Sequence, residues 1–157
     1  MPIRRWVLLA YRLPREPSTP RLSVWRKLKR LGVAQLQDGL VALPLDRRNR
    51  EQLEWLAEEI LDAGGQATIW LAAPASAAQE RGLARGLQEA VSIEYRKIIA
   101  DAGSAAAGAR GRSRRTLARL RRELGRVRRR DYFPPPERGE AERAVEALAR
   151  VLEESAA

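Results

Sequence analysis

Residues 6–12 (Trp-Val-Leu-Leu-Ala-Tyr-Arg) form a short, nearly continuous apolar run with aromatic and β-branched members, which predicts a buried strand. Leu13-Pro14 ends it, and residues 16–20 carry turn chemistry. Thr19 followed by Pro20 is a helix start. Leu22, Trp25, Leu28 and Leu31 then recur every three residues, predicting one inward helical face that includes Trp25, and Gly32 is the stop. Residues 33–36 and 40–43 read as two strands separated by Gln37-Asp38-Gly39, where Asp-Gly is a hairpin signal. A second helix is expected over 48–63 with Leu53, Leu56, Ala57, Ile60 and Leu61 inward, stopped by Gly64-Gly65. Residues 67–72 give a last strand, closed by Pro74. The order strand, helix, strand, strand, helix, strand is the ferredoxin-like βαββαβ pattern, so residues 1–74 are read as a ferredoxin-like α/β domain.

From residue 75 to 157 the period is helical throughout, predicting an all-helical C-terminal extension. Ser76 and Gln79 make a capping box that opens a helix to about residue 100, able to bury Leu83, Leu87, Ala90, Val91 and Ile98. Residues 103–111 (Gly-Ser-Ala-Ala-Ala-Gly-Ala-Arg-Gly) read as a flexible joint. An Arg-rich helix is expected over 113–131, in which Leu117, Leu120, Leu124 and Val127 form a narrow apolar seam. Three prolines from Pro134 end it. A final helix over 139–154 places Ala141, Ala144, Val145, Leu148, Val151 and Leu152 on one face.

Composition narrows the chemistry. The 157 residues include no Cys and no His, which removes thiol nucleophiles, Ser–His dyads, iron–sulfur clusters and the usual zinc sites. The longest apolar run near the start, Trp6 to Ala10, is too short for a transmembrane helix or a signal segment, and a soluble, unexported protein is expected. Net charge is +10, and it is local: residues 110–130 hold eleven Arg and one Glu, while the rest of the chain balances 19 basic against 19 acidic residues.

That segment is the main functional signal. With the Leu seam docked, Arg114, Arg115, Arg119, Arg121, Arg122, Arg126, Arg128, Arg129 and Arg130 surround the rest of the cylinder. Like charges at i and i+4 repel, and a polyanion such as double-stranded DNA would relieve them. The competing reading is internal compensation by Glu137, Glu140, Glu142, Glu146, Glu153 and Glu154 of the last helix. A membrane-surface helix is disfavoured because the seam is narrow. Arg26, Lys27, Lys29 and Arg30 of the first helix offer a second set of phosphate contacts. Arg47, Arg48 and Arg50, misplaced against the dipole of the second helix, hint weakly at an anion. The carboxylate pairs Glu58/Glu59 and Asp46/Glu51 read as solubility charges, and the glycine-rich 103–111 follows a helix and lacks a Lys-Ser/Thr ending. No catalytic constellation, metal site or resident cofactor is indicated, so a binding protein rather than an enzyme is expected.

Several stretches resemble a known family: residues 6–14 (Trp-Val-Leu-Leu-Ala-Tyr-Arg-Leu-Pro), 21–32 (Arg-Leu-Ser-Val-Trp-Arg-Lys-Leu-Lys-Arg-Leu-Gly), Leu36-Gln-Asp-Gly39 and Val41-Ala-Leu-Pro44. They are similar to the N-terminal domain of ChrB-type chromate-resistance regulators, as are Glu94-Tyr95-Arg96 and Arg129-Arg-Asp-Tyr-Phe-Pro134. The resemblance implies a cytoplasmic regulator that binds promoter DNA and responds to chromate. Full-length members usually carry a further C-terminal domain. If chromate acts directly as effector, Arg12 and Arg15 at the end of the first strand are its expected oxyanion cradle. The first half also resembles, more distantly, the ferredoxin-like domain of CRISPR-associated spacer-integration proteins and phenylacetate-type repressors. Nuclease-like relatives there carry Asp after the strand's Tyr, where this chain has Arg12, which argues against metal-dependent cleavage. A homodimer is expected from the open sheet edges. Two other classes stay open: an interaction module docking an acidic protein, and, less favoured, a nucleic-acid-processing enzyme.

Overall fold

The computed structural model describes residues 4–156. The order of elements is β1 (Trp6–Arg12), α1 (Thr19–Leu31), β2 (Ala34–Gln37), β3 (Leu40–Pro44), α2 (Arg47–Asp62), β4 (Gln66–Ala72), α3 (Ala77–Ala106), α4 (Arg110–Arg129) and α5 (Glu137–Glu154). The chain divides into two compact units, Met1–Gly86 and Leu87–Ala157, with the division falling inside α3.

The first unit is a four-stranded antiparallel sheet in the order β2-β3-β1-β4, the ferredoxin-like arrangement predicted from the pattern. β1 runs up the middle, with Val7 opposite Leu43 and Leu71, and Leu9 opposite Val41 and Ile69. Val7, Leu9, Val41 and Leu43 are all buried, together with Val24 and Leu28 of α1 and Leu53, Leu56, Ala57 and Ile60 of α2. At α2 the Asp46 side chain accepts from Asn49 N–H at 2.6 Å, and the buried Asn49 amide donates to Pro44 O. Asp46 is therefore a helix cap rather than a solubility charge. Glu59 likewise has a structural role: it accepts from Ser23 Oγ and pairs with Lys27 at 2.7 Å, tying α2 to α1.

Five positions expected to face inward are exposed: Leu22, Trp25 and Leu61 in the first unit, and Ala90 of α3 and Val151 of α5 in the second. Leu22, Trp25 and Leu61 are about half exposed, and the α1 core face is Val24 and Leu28 instead. A spacing of three advances roughly 300° per step on an α-helix, so the run Leu22–Trp25–Leu28–Leu31 drifts by about half a turn and cannot share one face.

Gly39 and Gly65 hold the end of β1. Gly39 has φ +76°, and a Cβ on either glycine would run into β1 backbone, at Tyr11 O for Gly39 and at Arg12 O for Gly65. Tyr11 N–H donates to Gly39 O at 2.8 Å.

The second unit is a cluster of three helices. α3 contributes Val91, Tyr95, Ile98 and Ala102; α4 contributes Leu120, Leu124 and Val127; α5 contributes Ala141, Val145, Leu148 and Leu152. The predicted capping box forms, with Gln79 N–H donating to Ser76 Oγ and Ala75 N–H to Gln79 Oε1. The expected joint at 103–111 is mostly helix: α3 continues to Ala106 and α4 begins at Arg110. Buried Ser113 donates to Ala105 O at 2.6 Å, fastening the start of α4 to the end of α3. Alanine's helix propensity, with that bond, outweighs Gly103 and Gly111, which lie within α3 and α4, and only Gly108 falls in the turn between them.

Candidate nucleic-acid interface

α4 is amphipathic in an unusual sense, with an apolar seam facing three kinds of arginine. Leu120, Leu124 and Val127 are buried and Leu117 packs against the same cluster, as their spacing predicts. On a helix of 3.6 residues per turn, Arg119 and Arg130 fall on one flank of that seam, while Arg114, Arg121 and Arg128 fall on the other. Arg115, Arg122, Arg126 and Arg129 lie within roughly 60° of one another, opposite the seam.

The flanks are partly neutralised. Arg119 pairs with Glu123 at 2.8 Å and Asp101 at 3.4 Å, and those carboxylates hold its guanidinium firmly charged. Arg130, with its side chain only 18% exposed, pairs with Glu94 of α3. On the other side Arg128 meets Glu142 of α5 at 3.5 Å, and Arg121 shares a trough of about 450 Å³ with Glu142, Glu146 and Glu153. Compensation by the acidic last helix is thus real but restricted to one flank.

The crest is different. Arg115, Arg122, Arg126 and Arg129 are exposed and none has an ion pair with another described residue; the same holds for Arg114. Four cations remain along about 21 Å of helix axis. They repel one another, and no carboxylate among the described residues relieves that repulsion.

The second predicted set is less uniform. Lys27 is engaged with Glu59, and Lys29 stands over the Trp25 ring at 4.5 Å. Arg26 and Arg30 are exposed and have no ion pair with a described residue. Arg50 pairs with Glu54 one turn on. Arg12 lies on the rim of a groove at the end of β1, whereas Arg15 is exposed in the following loop and does not line it. In Arg15's place the groove brings Arg21 beside Arg12, which spacing could not reveal because α1 begins between them.

Under α4 lies a polar group the sequence reading missed. Tyr95 O–H donates to Asp131 Oδ2 at 2.7 Å, and Arg138 approaches the same oxygen at 3.7 Å. Burial first, and then the Asp131 hydrogen bond, push the Tyr95 phenol well above its ordinary value. The stretch Arg129-Arg-Asp-Tyr-Phe-Pro134 contained this aspartate, but only the fold places it against a tyrosine 36 residues earlier.

Among the described residues no group of three or more acidic side chains could hold a metal, and no helix is long and apolar enough to cross a membrane.

Comparison with known proteins agrees with the resemblance. The family model described as Protein ChrB, N-terminal, matches residues 21–109, ending where α4 begins. A curated relative, Protein ChrB of Cupriavidus metallidurans, is 32% identical over 138 residues, which is 85% of this chain and 42% of that protein. The chain therefore spans less than half the length of that relative. No solved structure matches it.

Proposed function

The chain belongs to the ChrB family, with that family's link to chromate resistance, and on this premise we propose that it is a DNA-binding transcriptional regulator acting in the cytoplasm. The observation that carries the proposal is the bare crest of α4. On its flanks Arg119, Arg128 and Arg130 are matched to carboxylates, while Arg115, Arg122, Arg126 and Arg129 are aimed outward together and left without ion pairs among the described residues. The backbone of a duplex supplies regularly spaced negative charge along such a length. Contacts of this kind give affinity and position, and sequence choice comes from other groups. Arg114 adjoins the crest, and Arg26 and Arg30 of α1 offer further phosphate contacts; Lys27, Arg119 and Arg130 have protein partners to give up first.

The reading is of a binding protein rather than a catalyst. Its acidic side chains support that: Asp46 caps α2, Glu59 joins two helices, and Glu94, Asp101 and Glu142 neutralise arginines.

The proposal includes a homodimer formed along β4. That strand has seven residues with no charge, no proline and no bulge, and its outer edge pairs with no strand among the described residues. At the opposite edge β2 is four residues long and bulged between Gln35 and Gln37, the usual protection of an open edge. Two β4 strands meeting antiparallel about a two-fold axis bring no like charges together.

The test of phosphate contact is fluorescence anisotropy of a labelled duplex across a salt series. Wild type is compared with a crest variant carrying Arg115→Gln, Arg122→Gln, Arg126→Gln and Arg129→Gln. Four lost phosphate contacts flatten the log–log salt slope by about 3 to 4. Identical slopes, or binding to acidic protein competitors as tight as to DNA, reject duplex contact through this helix.

A further inference from the structure

The groove at the end of β1 lies wholly within the first unit and is not used by the reading above. Its volume is about 830 Å³, in the range of pockets that take small organic ligands. Arg12, Arg21 and Asp38 stand on its rim, and none forms an ion pair with a described residue although both signs of charge are present. Its apolar wall is Trp25 and Leu22, 53% and 50% exposed, the two α1 positions that the core leaves out. Lys29 over the Trp25 ring adds a positive charge beside it. Tyr11, half-buried at the floor, senses both Asp38 and Arg21: burial and then Asp38 raise its pKa, and Arg21 opposes them. The floor is built close, because Gly39 and Gly65 let backbone approach the end of β1 from both sides.

We infer that this groove binds a nucleoside monophosphate moiety. Two guanidinium groups suit a phosphate dianion, which they can hold through paired N–H donors. The exposed indole and Leu22 offer a flat apolar surface for a base. The Asp38 carboxylate, an acceptor only, suits base amino or ribose hydroxyl donors. A bare tetrahedral oxyanion fits less well, since it would leave the Trp25 wall unused and face Asp38 at close range. The moiety can be a free mononucleotide or the terminal nucleotide of a strand; both present the same phosphate, sugar and base. The inference stands on the first unit alone and is independent of phosphate contact by α4.

The experiment is isothermal titration of the full chain carrying the four crest substitutions, which removes binding of strands through α4. AMP, GMP, CMP and UMP are titrated in turn, then adenosine, inorganic phosphate and a short 5′-phosphorylated oligonucleotide. At least one mononucleotide is expected to bind saturably at one site per chain. Arg12→Gln with Arg21→Gln, and separately Trp25→Ala, should each weaken it about tenfold or more, which is about 1.4 kcal/mol or more. Adenosine should bind far more weakly than AMP. Tighter binding of the oligonucleotide identifies a strand end as the source, and tighter binding of the mononucleotide identifies a free ligand. No saturation by any of the four, equal competition by inorganic phosphate, or unchanged affinity in Trp25→Ala would overturn the inference. The replaced side chains are exposed, and circular dichroism of each variant verifies that it is folded.

Discussion

Tyr95 and Asp131 illustrate how a single polar pair can organise an otherwise apolar cluster. Tyr95 is fully buried, and the Asp131 side chain has no exposure, one oxygen taken by the tyrosine and Arg138, the other buried without a hydrogen-bond partner among the described residues. Removing one member strands the other. Tyr95→Phe and Asp131→Ala are each expected to cost about 1–3 kcal/mol in urea unfolding, with Asp131→Asn milder because it keeps an acceptor. The pH dependence follows from the raised phenol. An unfolded tyrosine ionises near 10.0, and the buried one does so higher, so its contribution is complete below pH 10 and fades as pH climbs above it. Alkaline unfolding should therefore be shallower in Tyr95→Phe than in wild type, as followed by circular dichroism.

Elements meet at places where side chains must be absent, and the two ends of the chain show opposite consequences for glycine. Gly39 and Gly65 admit close backbone contact with β1, and a Cβ at either forces a shift against main chain. Gly39→Ala and Gly65→Ala are each expected to destabilise the first unit by about 1–3 kcal/mol in chemical denaturation. By contrast, nothing lies within 4 Å of a Cβ added at Gly103, an exposed position inside α3. Gly103→Ala should instead stabilise by about 0.5–1 kcal/mol, since the glycine there only adds freedom to the unfolded chain. The same pair of units shows where local signals were read correctly. Gly32 stops α1 in the left-handed region, Ser76 and Gln79 cap α3, and the Leu seam of α4 docks as its 3-4-3 spacing requires. The stretch 103–111 is helical on both sides of one turn, where its glycines suggest a joint, because alanine favours helix and the Ser113 hydrogen bond to Ala105 O exists only once that turn has formed.

At the scale of the whole molecule, charge is unevenly distributed and the two edges of the sheet differ. The excess of +10 sits in one segment, and the crest of α4 concentrates its unpaired part. The crest is self-repulsive, so a multivalent anion such as tripolyphosphate should raise the melting temperature of wild type and have little effect on the four-fold Gln variant; equal stabilisation would place the anion elsewhere. The homodimer is tested by light scattering: wild type should run at twice the chain mass and Ile69→Lys, at the centre of β4, at the monomer mass. A monomeric wild type at micromolar concentration rejects pairing along this edge.

Taken by itself, the sequence determined the elements and their order, the ferredoxin-like class, the family and the position of the charge, because these depend on period, capping, turn residues and motifs that are local in the chain. It could not determine which arginines are free. Arg119 and Arg115 in α4 and Arg130 at its C-terminal cap are the same residue type, and what separates them is whether Asp101, Glu94 or no described carboxylate stands opposite. Nor could it bring Arg21, Asp38 and Trp25 to one groove, or Tyr95 to Asp131. Neutralisation and desolvation act through distances of a few ångströms between residues far apart in the chain, and only the folded arrangement sets those distances.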